Sequence, residues 1–152
     1  MNWHARADSW SFVFFSFLPR LTLCSLAWET AQLPLYSLWD DPRPGTIVFA
    51  IAHCTVGDAM IGAAALVMAL ILSGAGERSH WPRRKICALM VILAIAYTLA
   101  SERMNLAQGN WSYSAWMPVL PWIKVGLAPV LQWIVVPMIA WTWASRRAGS
   151  AH

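Results

Sequence analysis

Four stretches of this chain are apolar for about the twenty residues that a helix needs to cross a bilayer. The first carries Glu29 in its interior, and the second carries His53 and Asp58. An ionisable side chain near the bilayer centre costs roughly 2.5–3.5 kcal/mol on insertion scales. Such groups must therefore face one another, a cavity or a ligand. The expected fold class is all-α, an integral membrane bundle of four transmembrane helices enclosing a polar site.

The spans are expected over residues 18–39, 46–73, 86–101 and 122–145, in a single four-span domain covering 1–152. Residues 10–17 lie in the interface or extend the first span. The connectors are distinct in composition. Asp40, Asp41, Pro42, Arg43, Pro44 and Gly45 predict a tight turn, because two prolines and a glycine forbid helix continuation. Residues 74–85 form a hydrophilic loop, and residues 103–121 a longer one rich in Trp.

Composition supports the membrane reading. The chain is 59% hydrophobic and only 12% charged, where a soluble domain carries about 25% charged residues. Its 11 Trp gather near the span ends, where Trp is enriched in membrane proteins. The net charge of +4 does not indicate nucleic acid, because the basic residues cluster between apolar spans. Arg78, Arg83, Arg84 and Lys85 mark the second loop as cytoplasmic, and Arg146 and Arg147 do the same for the C-terminal tail. Both termini are then cytoplasmic, and the expected location is a bacterial inner (plasma) membrane. The first apolar run lacks a small-x-small cleavage site and reads as an uncleaved span, not a signal peptide. Cys24, Cys54 and Cys87 form no CxxC pair. They read as small buried side chains and argue against a disulfide-generating enzyme.

Helical spacing organises the polar residues. Ser25, Glu29, Gln32 and Tyr36 fall on one face of span one. Cys54, Asp58 and Gly62 share a face of span two, while His53 is turned roughly 140° from Asp58. Gly57, Gly62 and the alanines at 63–65 permit close helix approach. Thr98, Glu102 and Asn105 share a face of span three, with Glu102 at its outer end, and Gln132 lies some turns into span four. The group falls between the bilayer middle and the outer face. Each member also has a purely structural role open to it, as a hydrogen bond between helices or an interfacial charge.

Three chemistries suit this set. Glu29 and Asp58, supported by His53 and Glu102, are the candidate catalytic residues, acting as general acid and base on a lipid or isoprenoid. Surrounding Trp and Tyr faces would stabilise a developing carbocation. Gln32, Asn105, Trp111, Tyr113 and Gln132 are candidate substrate-binding residues. Alternatively, Glu29, His53, Asp58 and Glu102 could ligate a divalent metal, although their spacing matches no recognised motif. The same groups could also relay protons or carry an ion. Ser25 is a weak candidate nucleophile. The third loop, with Trp111, Tyr113 and Trp116, suits a lid or an aromatic belt, and the sequon at Asn110, Trp111 and Ser112 is read as chance.

Gly109-Asn110-Trp111-Ser112-Tyr113, followed by Gly126-Leu127-Ala128-Pro129-Val130-Leu131-Gln132-Trp133, resembles the closing pattern of the lycopene-cyclase-domain membrane carotenoid enzymes. The resemblance covers about a quarter of the chain. Val130, Leu131 and Gln132 stand where that family carries paired acids, so Gln132 occupies an acid's place. The resemblance implies an enzyme acting on an isoprenoid. The alternatives are a non-enzymatic ion or metal carrier, a subunit of a larger membrane complex or homo-oligomer, or a bundle merely locked by its polar residues. The expected partner in every case is membrane lipid.

The charge pattern makes a topological prediction. Alkaline phosphatase fused after Arg147 is expected to be inactive and, inserted after Gly109, active; the reverse pattern would overturn the orientation.

Overall fold

The computed structural model of the chain describes residues 2–41 and 43–147. Pro42, part of the expected turn, lies outside the described residues. Among them, four helices are long and apolar enough to cross a membrane: α1 (Ala7–Leu35), α2 (Pro44–Leu72), α3 (Arg83–Gln108) and α4 (Leu127–Arg147). The all-α class is as expected, with one two-stranded hairpin added, β1 (Val119–Leu120) and β2 (Val125–Gly126).

The boundaries differ from the sequence reading at both ends of α1, at the end of α3 and at the start of α4. Helix α1 begins at Ala7, so residues 10–17 extend the first span. Pro19 does not stop it, because the helix widens to a π turn over Phe12–Phe17 immediately before it. The wider turn leaves room for the proline ring, which otherwise meets the carbonyl four residues back. At the other end Pro34 tightens α1 into a 3-10 turn, Leu33–Leu35, so Tyr36 stands beyond the span in extended backbone. Helix α3 runs on to Gln108 and ends on Gly109, whose φ of 71° closes the last turn in the left-handed region. Glu102 is therefore inside α3, not at its end. Trp122 precedes α4 and lies in the hairpin turn, 90% exposed.

Pairwise packing of α1 with α2, α2 with α3, α3 with α4, and α4 with α1 closes the bundle. Leu21, Leu66, Leu70, Ile86, Met90 and Ala140 fill its interior at the end bearing the second loop. There Phe12 packs edge-on against Trp81 and Trp141, with ring centroids at 5.6 and 5.4 Å. Arg6 reaches Glu77 at 3.3 Å, tying the N-terminal segment to the second loop on the same end. Gly62 lets α2 approach α1, since a Cβ there would overlap the Leu21 side chain.

At the opposite end the loops are strapped together. Tyr36 and Tyr113 form an antiparallel bridge. The Ser37 and Ser114 amides donate to the carbonyls of Ser112 and Leu35 at 3.0 and 2.9 Å. In the first loop Arg43 donates to Asp41 from its backbone and its guanidinium, at 2.8, 3.0 and 2.8 Å. Those side-chain hydrogen bonds hold the Asp41 carboxyl at about 2, below the usual carboxylate range. The polar end of the bundle is thus roofed by two loops that hold each other.

The close approach at Gly62 is testable. Gly62→Leu is expected to destabilise the bundle by about 1–3 kcal/mol through overpacking. Thermal unfolding in detergent reads this as a lowered midpoint, while Gly57→Ala, whose Cβ meets nothing within 4 Å, leaves the midpoint unchanged or raised.

Candidate functional site

Three spans each contribute polar groups to one buried point. Glu29 and Gln32 come from α1, Asp58 from α2 and Gln132 from α4, and all four are under 10% exposed. The Gln132 amide nitrogen donates to Glu29 Oε1 at 3.0 Å and to Asp58 Oδ2 at 2.5 Å. Gln32 donates a second hydrogen bond to Glu29 Oε1, at 2.8 Å, and its nitrogen lies 3.4 Å from Gln132 Oε1. Trp28 completes the chain by donating its indole N–H to Gln32 Oε1 at 3.0 Å. The two glutamines satisfy the carboxyls as donors where no water is at hand. Ser25, on the same face of α1, is buried beside Asp58 without closing a hydrogen bond of normal geometry.

Glu102 of α3 forms a second centre. Its Oε2 accepts the Tyr113 hydroxyl at 2.5 Å, and the Tyr36 hydroxyl points at its Oε1 from 3.5 Å. The Tyr113 oxygen accepts in turn from the Gly126 amide at 2.8 Å, which fixes the ring against the hairpin. Gly126 packs so tightly on Met117 that a side chain there would meet the Met117 sulfur. Burial, with the neighbouring Glu102 carboxyl, pushes the Tyr36 phenol well above the usual tyrosine range. Burial and the hydrogen bond to Glu102 do the same for Tyr113. Both phenols therefore keep their protons at neutral pH and act as donors. Trp111 lies beside this centre, its buried indole N–H short of a normal hydrogen bond.

The two centres line one cavity of about 480 Å³, within the size range of small-molecule sites. Its floor is the Glu29, Gln32, Asp58 and Gln132 cluster, and its walls include Phe49, Ile61, Tyr97, Trp111 and Trp133. Along α2 the lining residues recur at helical spacing, as 46, 49, 50, 53, 54, 57, 58 and 61, with Ile51 added beside them. Thr98, Glu102 and Asn105 face it together from α3, as their spacing predicted. Asn105 is held back by its own helix, donating to the Ser101 carbonyl at 2.8 Å.

The catalytic candidates therefore divide by position. Glu29 and Asp58 share one amide, Glu102 sits with its tyrosines, and His53 stands exposed at the cavity mouth with its ring stacked on Phe49 at 5.5 Å. Of the substrate-binding candidates, Gln32, Trp111 and Gln132 line the cavity, as does Asn105, while Tyr113 acts behind Glu102. Among the described residues no three His, Cys, Asp or Glu side chains gather so as to hold a metal ion. Trp116 is 80% exposed and does not line the cavity. One contributor escaped the sequence reading: Trp28 lies four residues before Gln32, a spacing that could have found it. Cys54, on the Asp58 face as its spacing predicted, lines the cavity beside the polar cluster. The Arg20 guanidinium, inside α1, lies over the Trp143 ring at 5.4 Å, at the other end of the bundle from the cavity.

Comparison with known proteins finds no matching family model, no matching curated protein and no matching solved structure.

The support for Glu102 carries a measurable cost. Tyr113→Phe removes a donor to a buried carboxyl and the acceptor of the Gly126 amide, so it is expected to cost about 1–3 kcal/mol. A thermal midpoint in detergent equal to that of the wild type would contradict that assignment.

Proposed function

We propose that this chain is a small integral membrane enzyme that acts on a lipid or isoprenoid by acid/base chemistry. The observation that supports it best is the single Gln132 amide shared by Glu29 and Asp58 at the floor of a largely apolar cavity. Two carboxyls bridged in this way form a unit in which one can give a proton and the other take one. Both belong to different helices, so their approach is built by the fold and not by local sequence.

The walls suit the same chemistry. Trp111, Trp133 and Tyr97 line the same cavity as the carboxyls, and an aromatic face turned to a protonated alkene there would stabilise its developing positive charge. Glu102, held by Tyr113, supplies a second acidic centre on the facing wall. His53 at the mouth plays a supporting part. The resemblance of residues 109–113 and 126–133 to lycopene-cyclase-domain enzymes points toward an isoprenoid substrate. Gln132, in an acid's place there, lies here between the two acids. The basic second loop favours a bacterial plasma membrane with both termini in the cytoplasm.

The reading makes a direct prediction. Glu29→Gln and Asp58→Asn, each compared with wild type in a host lacking the gene, are expected to alter the lipid or pigment profile as a full deletion does. Loss of one acid/base group corresponds to about 10²–10⁴-fold in rate. If both variants, expressed at wild-type levels, restore the wild-type profile by mass spectrometry of lipid extracts, the acid/base role is wrong.

A further inference from the structure

The cavity has a side door and a charge preference, and both bear on what can occupy it. Much of its lining is buried or half-buried, but Phe49 on α2 is 68% exposed, Tyr97 on α3 is 56% exposed, the exposed His53 lies beside Phe49, and Asn110 is exposed in the third loop. Phe49, His53 and Tyr97 lie inside the spans. Tyr97 is about 16 Å along α3 from its Gln108 end, and His53 about 13 Å along α2 from Pro44, at 1.5 Å per residue. The exposed lining on α2 and α3 therefore faces the hydrocarbon layer, while Asn110 is a second exposed point at the strapped end.

The charge of the lining is one-sided. Glu29, Asp58 and Glu102 all reach the cavity, and none of its lining residues is Lys or Arg. Arg43 is held by Asp41, and Arg103 is exposed on α3. An anionic headgroup brought inside would meet carboxyls with no cation to balance it, in surroundings where water screens little. The volume of about 480 Å³ holds a head and part of a chain, leaving a longer tail to pass between α2 and α3 into the bilayer.

We infer that the cavity admits a single-tailed, non-anionic amphiphile laterally from the membrane between α2 and α3, and rejects phosphorylated lipids of the same chain. The inference rests on the reading of this cavity as the substrate site and adds the class of substrate and its route. It accounts for exposed lining set within the spans, and for three acids facing a space that, among the described residues, has no Lys or Arg in its lining.

The probes are farnesol and farnesyl phosphate, which share a chain and differ in charge. Binding to the purified full-length protein in detergent is read by native mass spectrometry, and a diazirine analogue of farnesol maps contacts by cross-linking. Farnesol is expected to bind at least tenfold more than farnesyl phosphate, with cross-links on α2 and α3 at Phe49, His53 or Tyr97. Gly57 lines the cavity and a Cβ there meets nothing within 4 Å, so Gly57→Leu is expected to fold and to lower farnesol binding at least fivefold. Equal or tighter binding of farnesyl phosphate would overturn the charge preference. Cross-links confined to the loops or to α4 would overturn the route, and undiminished binding in Gly57→Leu would place the ligand outside the cavity. None of these readouts needs turnover. Selective farnesol binding, together with unaltered lipid profiles in Glu29→Gln and Asp58→Asn, would refute the enzyme reading and leave this one standing.

Discussion

Gln132 gives both hydrogens of one amide to carboxyls from two other helices, and the polar half of the bundle is arranged around that fact. In a membrane interior an unpaired carboxyl has no water to turn to, so each acid on a span must find a partner on another. Glutamine suits the meeting point because it donates to both acids and still presents an acceptor to Gln32. An acid at this position would put a third carboxyl against Glu29 and Asp58 with no cation to balance it. Three of the four spans are thereby cross-tied at one level, while apolar packing of Leu21, Leu66 and Ala140 joins them at the other end, with Ile86 of α3 in the same core.

At the polar end the fourth span is tied in by the loops, whereas along its length it packs directly on α2 and α4. Glu102 on α3 is held by Tyr113, and Tyr113 is in turn held by Gly126, directly ahead of α4. The bridge from Tyr113 to Tyr36 joins the third loop to the end of α1. The same residues that roof the cavity therefore aim one of its acids. Phe49 and His53 on α2 and Tyr97 on α3 are then where the lining reaches the surface within the spans. The bundle combines a fixed polar floor, a strapped roof and an apolar side.

Much of this was legible in the sequence because membranes impose simple lengths and periods. Four apolar runs gave four helices, and the i, i+4, i+7 stripe of Ser25, Glu29 and Gln32 emerged as a buried face. Boundaries were less legible. Pro19 reads as a helix breaker, yet a preceding π turn absorbs it. Glu102 and Arg103 read as the polar end of a short span, yet α3 continues until Gly109 supplies a left-handed residue. Within the site, spacing along one helix correctly set His53 apart from Asp58. It could not reveal that Gln132 meets residues about a hundred and about seventy positions away, because that proximity is created by packing between helices. Nor could it tell Trp111, which lines the cavity, from Trp116 and Trp122, which face outward.

The most direct test of this account is what the protein carries out of its membrane. Native mass spectrometry of the gently purified chain, wild type beside Glu29→Ala, asks whether the cavity above the paired acids holds a membrane molecule. The account predicts an added mass of a lipid or isoprenoid on the wild type that is lost from a folded Glu29→Ala variant. A bare and otherwise equivalent mass in both proteins would contradict it, and would make the polar cluster a lock between helices and not a site.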